Sequence, residues 1–219
     1  MAQSPDDPMF VIPRLYAIID PAQGNGRSPV EMATTLLAAG VRLLQLRDKH
    51  ASSRDLYASA RLVTECVHQA GGIFIVNDRA DVALAVQADG VHLGQDDFPA
   101  DSGRTIVGTG KIVGYSTHNL EQLREADRST ADYIAFGPIF STASKANPDA
   151  TVGLAGLAEA RRATRKPLVA IGGITLENAR EVIDAGADSI AVIRGLVGAT
   201  DIGRRAEEFL EKVTGKAEG

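Results

Sequence analysis

The chain has 219 residues, 44% hydrophobic and 23% charged, the composition of an ordinary soluble globular protein with one substantial core. Its net charge of -5, with no long basic block, argues against a general nucleic-acid binder, while a small phosphorylated ligand needs only a local cluster of cations. The single cysteine, Cys66, excludes an intramolecular disulfide, and no apolar stretch approaches the length of a membrane span.

Residues 1–13 read as an N-terminal extension, and the segment Met1 to Pro8 lacks the basic, apolar pattern of a secretion signal, so a cytoplasmic location is expected. From Leu15 onward a two-part unit recurs. Apolar runs lie at Leu15–Ile19, Leu43–Leu46, Ile73–Val76, Gly90–Leu93, Ile112–Tyr115, Tyr133–Phe136, Leu168–Ile171 and Ser189–Ile193. Each ends in a polar or glycine tip: Asp20; Arg47-Asp48-Lys49; Asn77-Asp78; Gly94-Gln95; Ser116-Thr117; Gly137-Pro138; Gly172-Gly173; and Arg194-Gly195. Helix-patterned segments follow most tips, several opening at residues suited to N-caps: Ser28, Ser52, Asn119 and Thr175. Ala39-Gly40, Ala70-Gly71, Ala88-Asp89-Gly90 and Ala185-Gly186 read as helix stops. Cys66 falls in the helical run Leu56 to Gln69, which favours an inert packed thiol. Continuous apolar runs alternating with helices predict a parallel α/β sheet, and eight of them predict a closed TIM (β/α)8 barrel over residues 14–219. A doubly wound open sheet is disfavoured, since no Gly-x-Gly-x-x-Gly follows the first run.

In a barrel the chemistry belongs to the C-terminal strand ends. Gln45, Arg47 and Lys49 are spaced by two and point the same way in an extended chain, with Leu44 and Leu46 turned toward the helices. Two cations there suit an anion at the mouth, and a salt bridge from Arg47 to Asp20 or Asp78 is the structural alternative. Asp78 and Asp97, at the third and fourth tips, would repel unless a cation lay between them, and paired carboxylates suit Mg²⁺. Equally, Asp97 before Phe98-Pro99 suits a helix N-cap. The long sixth loop carries Thr142, Ser144 and Lys145, a set able to grip phosphate. Gly172-Gly173 and Ile193-Arg194-Gly195 end the seventh and eighth runs, where barrels often bind a phosphate through backbone N–H groups. Two anion sites are therefore expected: a diphosphate with metal near runs two to four, and a monophosphate near runs seven and eight.

Gln45-Leu46-Arg47-Asp48-Lys49, Val76-Asn77-Asp78-Arg79, Gly90 to Asp97, Phe136-Gly137-Pro138 with Thr142 to Lys145, and Ala170 to Thr175 together closely resemble the thiamine phosphate synthase family, from Leu15 to about Leu196. The resemblance implies a barrel transferase that joins 4-amino-5-hydroxymethyl-2-methylpyrimidine diphosphate to hydroxyethyl-methylthiazole phosphate, giving thiamine phosphate and pyrophosphate. It implies that Gln45, Arg47, Lys49 and Asn77 contact the pyrimidine diphosphate, that Asp78 and Asp97 bind Mg²⁺, and that Ser116 and Lys145 touch the diphosphate. Thr142 and Ser144 would line the thiazole phosphate side, with the backbone of Gly173 and Ile193 on its phosphate. Ser144 stands where the family often has Thr, and Arg194 where it usually has a small Ser. The implied chemistry is dissociative, with charge stabilised on the departing diphosphate by Mg²⁺, Arg47, Lys49, Lys145 and Ser116. No strong nucleophile is needed, in keeping with the absence of an evident nucleophile and base pair. His92 lies within an apolar run and reads as structural, whereas His118 follows a tip and is open to a chemical role. The alternatives are a thiazole tautomerase using His118, another phosphate-binding barrel isomerase, and a non-catalytic thiamine-precursor binding barrel. Intact Asp78, Asp97, Gln95 and Lys145 favour the synthase. The expected partners are the two small-molecule substrates, with no nucleic acid and no membrane. The residues do not specify an oligomeric state.

Overall fold

A computed structural model describes residues 11–141 and 150–215. Eight strands, β1 (Leu15–Ile19), β2 (Leu43–Leu46), β3 (Ile73–Asn77), β4 (Gly90–Leu93), β5 (Ile112–Thr117), β6 (Tyr133–Phe136), β7 (Leu168–Ile171) and β8 (Ser189–Val192), pair in parallel in chain order. The ring closes between β8 and β1, with Tyr16 opposite Ala191. The helices are α1 (Pro29–Ala38), α2 (Ser53–Gln69), α3 (Ala80–Ala85), α4 (Ala100–Val107), α5 (Leu120–Arg128), α6 (Gly153–Ala163), α7 (Ala179–Asp184), α8 (Arg194–Val197) and α9 (Ile202–Thr214). The expected barrel is the observed one. None of the helices described is long and apolar enough to cross a membrane.

Each strand is buried on both faces, which is why it reads as a solid apolar run. Outward residues such as Ala17, Leu44, Leu46, Phe74 and Val76 join the helices in one large core. The inward residues form a second cluster: Ile12, Tyr16, Ile18, Leu43, Ile75, Tyr133, Ala135, Val169 and Ala191. Leu44 and Leu46 thus face the helices as expected. Cys66 is half-buried against the outer core.

Three of the expected caps form. Ser28, Ser52 and Asn119 accept from the backbone N–H groups of Glu31, Asp55 and Gln122, opening α1, α2 and α5. Thr175 does not cap a helix. Its own N–H donates to Asn178 Oδ1 at 2.8 Å, and α7 begins only at Ala179, because the Asn178 side chain folds back over an intervening turn. Gly40, Gly71 and Gly186 end helices with positive φ, as expected. Gly90 is not a helix stop: it lies within β4, where a Cβ would come within 2.2 Å of the Ile112 carbonyl oxygen. There α3 ends instead at Ala85, with Val86 as its C-cap and Gln87 following in the left-handed region at φ 59°.

The N-terminal end of the barrel carries one device three times. Asp89, Asp132 and Asp188 each follow an alanine and precede a strand. Each turns a carboxylate to the backbone N–H at or near the start of the preceding strand: Phe74 at 2.8 Å, Val113 at 2.7 Å and Leu168 at 2.8 Å. Each also meets a side chain from the helix before that strand: His68 at 3.0 Å, Arg104, and Arg161 at 2.6 Å. One carboxylate thereby ties two strands and a helix together, far from the C-terminal mouth. Replacing Asp132 by Ala strands the Val113 N–H and takes from Arg104 its one carboxylate partner, leaving it only backbone carbonyls, at a cost of about 1–3 kcal/mol. Urea unfolding should show a lower midpoint with an unchanged slope.

Candidate active site

The inward phase of each strand continues into its C-terminal tip, so the side chains that leave the apolar interior converge on one mouth. On β2 that phase runs Leu43, Gln45, Arg47. Gln45 is buried and donates through Nε2 to the Tyr16 hydroxyl at 2.6 Å. Arg47, half-buried, meets Asp20 at 2.5 Å, so the structural partner foreseen for it is real. Asp20 is itself buried and also accepts from Ala22 N–H at 3.0 Å. A guanidinium carries five N–H donors, so pinning one edge leaves the other able to grip an anion.

Lys49 is exposed and pairs with Asp78. Asp78 sits just past β3 with φ 62°, a left-handed backbone whose N–H donates to the His92 carbonyl at 2.8 Å. Such a conformation is strained for a residue with a Cβ and aims this carboxylate across the β3–β4 gap. Asp97 meets it there. It accepts from Gly94 N–H at 2.8 Å within a tight turn, and α4 is preceded by Pro99 without a side-chain cap, so Asp97 is not the helix cap that its neighbours allowed. Burial pushes the Asp97 carboxyl above the ordinary carboxylate range; the Gly94 N–H opposes this, and the adjoining Asp78 carboxylate adds to it. Two facing carboxylates are an all-oxygen donor pair, and no cluster of three or more His, Cys, Asp or Glu occurs among the described residues. That set suits a hard divalent cation that fills its remaining positions with water and phosphate oxygens. Asn77, half-buried at the end of β3, lies opposite His92 in register.

Behind this wall a line of polar groups crosses the otherwise apolar barrel interior. Tyr16 and Tyr133 share a hydrogen bond at 2.9 Å between hydroxyls, Tyr133 meets His92 Nδ1 at 2.9 Å, and His92 Nε2 meets Ser116 Oγ at 2.8 Å. The Tyr133 ring stacks on the His92 imidazole at 5.5 Å and 21°. The register explains how they meet: His92 pairs with Gly114, and Gly114 with Tyr133. A Cβ on Gly114 would lie 2.0 Å from Tyr133 Cζ, so glycine on β5 lets the phenol cross to β4. Gln95 Nε2 donates to the Ser116 carbonyl at 2.6 Å, fixing the β4 tip to β5. Sequence reading treated Tyr16 and Tyr133 only as members of apolar runs. Their inward phase, shared with Asp20 and with the single glycine inside β5, is the signal that could have marked them.

At the other side, Gly172 and Gly173 have φ 98° and 66°. A Cβ on Gly173 would meet the Ser141 carbonyl oxygen at 2.6 Å, so only glycine lets the β7 tip lie against the start of the sixth loop. Ile193 is half-buried on the inward phase of β8, and Arg194 is the exposed first residue of α8. Thr142, Ser144 and Lys145 lie outside the described residues. His118 is anchored by its Nδ1 on the Gly137 carbonyl at 2.7 Å.

The profile of the family described as thiamine monophosphate synthase matches residues 15–196, from β1 into α8. The thiamine-phosphate synthase of Koribacter versatilis is 50% identical over 205 residues, 91% of this chain and 95% of that protein. That of Moorella thermoacetica is 43% identical over 200 residues, 91% of this chain and 95% of that one. A solved structure, thiamine phosphate pyrophosphorylase from Pyrococcus furiosus, superposes with a TM-score of 0.83 at 36% identity, covering 92% of this chain and 97% of that chain. A match of this extent, over a closed barrel with its charged groups gathered at one mouth, means that the chain belongs to the thiamine monophosphate synthase family.

Proposed function

We propose that the C-terminal mouth of this barrel joins 4-amino-5-hydroxymethyl-2-methylpyrimidine diphosphate to hydroxyethyl-methylthiazole phosphate, releasing pyrophosphate and leaving thiamine phosphate. The chain is an enzyme of thiamine biosynthesis, and this is the reaction of its family. The observation that supports this division of labour is the facing pair Asp78 and Asp97 with Lys49 against it and Arg47 beside it, held by Asp20.

In this reading Asp78 and Asp97 would hold Mg²⁺, which supplies charge neutralisation on the diphosphate when bound. Arg47 offers its free edge to the diphosphate as a fork, Lys49 and Lys145 add point charges, and Ser116 donates a hydrogen bond. Gln45 and Asn77 orient the pyrimidine. Breaking the carbon–oxygen bond then leaves a cation that the pyrimidine ring stabilises, while the negative charge accumulates on a leaving group already surrounded by positive charge. The thiazole nitrogen supplies the electron pair for the new bond, so the protein itself needs no nucleophile. Its remaining task is to hold the second substrate in line. Thr142 and Ser144, the backbone of Gly173 and Ile193, and the Arg194 guanidinium do this through the thiazole phosphate.

Purified protein with Mg²⁺ and both substrates should form thiamine phosphate and pyrophosphate in equal amounts, and chelation should abolish turnover. Asp78→Ala should stay folded, and its kcat/KM should fall by about a hundredfold or more, the loss typical of a group that stabilises charge in the transition state. A tautomerase would tolerate that change and fail on His118→Ala, an outcome that would overturn this reading. Arg194→Ser should raise the KM for the thiazole phosphate by about three- to tenfold with little effect on kcat. Because the contact is solvent-exposed, this difference should shrink as salt is added.

A further inference from the structure

Three buried polar side chains, Tyr16, Tyr133 and His92, have no task in the reaction as described, yet they occupy the middle of the barrel. They link two residues that do. From Gln45 Nε2 the line runs to the Tyr16 hydroxyl (2.6 Å), to the Tyr133 hydroxyl (2.9 Å), to His92 Nδ1 (2.9 Å), and from His92 Nε2 to Ser116 Oγ (2.8 Å). Five strands, β1, β2, β4, β5 and β6, contribute one member each.

The chemistry of the groups limits this line to two proton orders. An amide nitrogen only donates, so the Tyr16 oxygen accepts from Gln45. In the order that continues from Gln45, Tyr16 donates its one O–H to Tyr133 and Tyr133 its own to His92 Nδ1; the heavy-atom geometry also admits the reverse order. Burial holds both phenols well above the ordinary tyrosine range, so each keeps the proton that it donates. A neutral imidazole that accepts at Nδ1 carries its hydrogen on Nε2 and donates it to Ser116 Oγ. The Ser116 hydrogen is then turned away from His92. At the other end, Ser189 Oγ is the only buried side-chain polar atom without a partner among the described residues, so the Gln45 carbonyl oxygen is not a buried orphan.

We propose that Tyr16, Tyr133 and His92 are positioning residues that orient the two ends of this line for the substrate. They hold the Ser116 hydroxyl as a donor toward the diphosphate and the Gln45 carbonyl as an acceptor for the amino group of the pyrimidine. This rests on the reading in which Ser116 touches the diphosphate. In the reverse order the Ser116 hydrogen would point at His92, leaving only lone pairs to face an anion, which is repulsive. The tautomer of His92 therefore reports which order the barrel adopts.

Nitrogen-15 NMR of the histidine-labelled full chain, with His92 assigned through His92→Gln, should show the Nε2–H tautomer. An Nδ1–H tautomer overturns the proposal without any variant having to fold. In kinetics, Tyr133→Phe should lower kcat/KM for the pyrimidine diphosphate by about tenfold, the worth of one hydrogen bond, and leave KM for the thiazole phosphate unchanged. In a Ser116→Ala background the same change should cost clearly less than it does in the native chain, because only the Gln45 end of the line is then left to orient. If the two losses multiply, the tyrosine acts by another route and the proposal fails while the role of Ser116 stands. Full activity of Ser116→Ala removes that role, and the proposal with it.

Discussion

Asp78 and Asp97 hold their carboxyl groups within hydrogen-bonding reach at neighbouring strand ends, and the arrangement of the rest of the mouth follows from that repulsive contact. Left alone, such a pair repels, and burial adds to the cost of charging Asp97. Lys49 answers from β2, and the geometry at Asp78 is maintained against a left-handed backbone by a hydrogen bond to the His92 carbonyl. Arg47 could have collapsed onto the same acids. Asp20 prevents this by occupying one edge of the guanidinium, so a cation remains available beside the pair. The outcome is a rim that places two cations, each held by a carboxylate, beside a pair of facing acids.

The two ends of the barrel use the same chemical groups for different ends. At the N-terminal end Asp89, Asp132 and Asp188 are satisfied within the protein, each by a backbone N–H and a side chain from a neighbouring helix. At the C-terminal end Asp78 and Asp97 face one another, and the cations Arg47 and Lys49 lean on Asp20 and Asp78. Between these lies an interior too narrow for bulk on every strand: the Tyr133 ring occupies the space that Gly114 vacates. That exchange admits polar groups to a core that apolar side chains would otherwise fill. Their hydrogen bonds make this tolerable in a low-dielectric interior.

Much of this was legible in the residues. Parallel strands buried on both faces must read as unbroken apolar runs, so all eight could be found, and the polar tips marked the mouth. Caps at Ser28, Ser52 and Asn119 were visible because a cap needs only residues three apart. Thr175 and Gly90 misled for the complementary reason. Asn178 bends back over Thr175, and Gly90 yields to the approach of Ile112 from a separate strand; neither is a local property.

The pattern of apolar runs, tips and helices by itself determined a closed parallel barrel, and the motifs at the tips determined the family. Those signals are local, repeated and periodic, so they survive in one dimension. Only the tertiary structure decided that Asp97 turns to Asp78 instead of capping α4, that Arg47 leans on Asp20, and that Tyr16, Tyr133 and His92 join Gln45 to Ser116. Each of those contacts joins different strands. Their existence depends on the register and closure of the barrel, which set the partner of a side chain once its strand has found its neighbours.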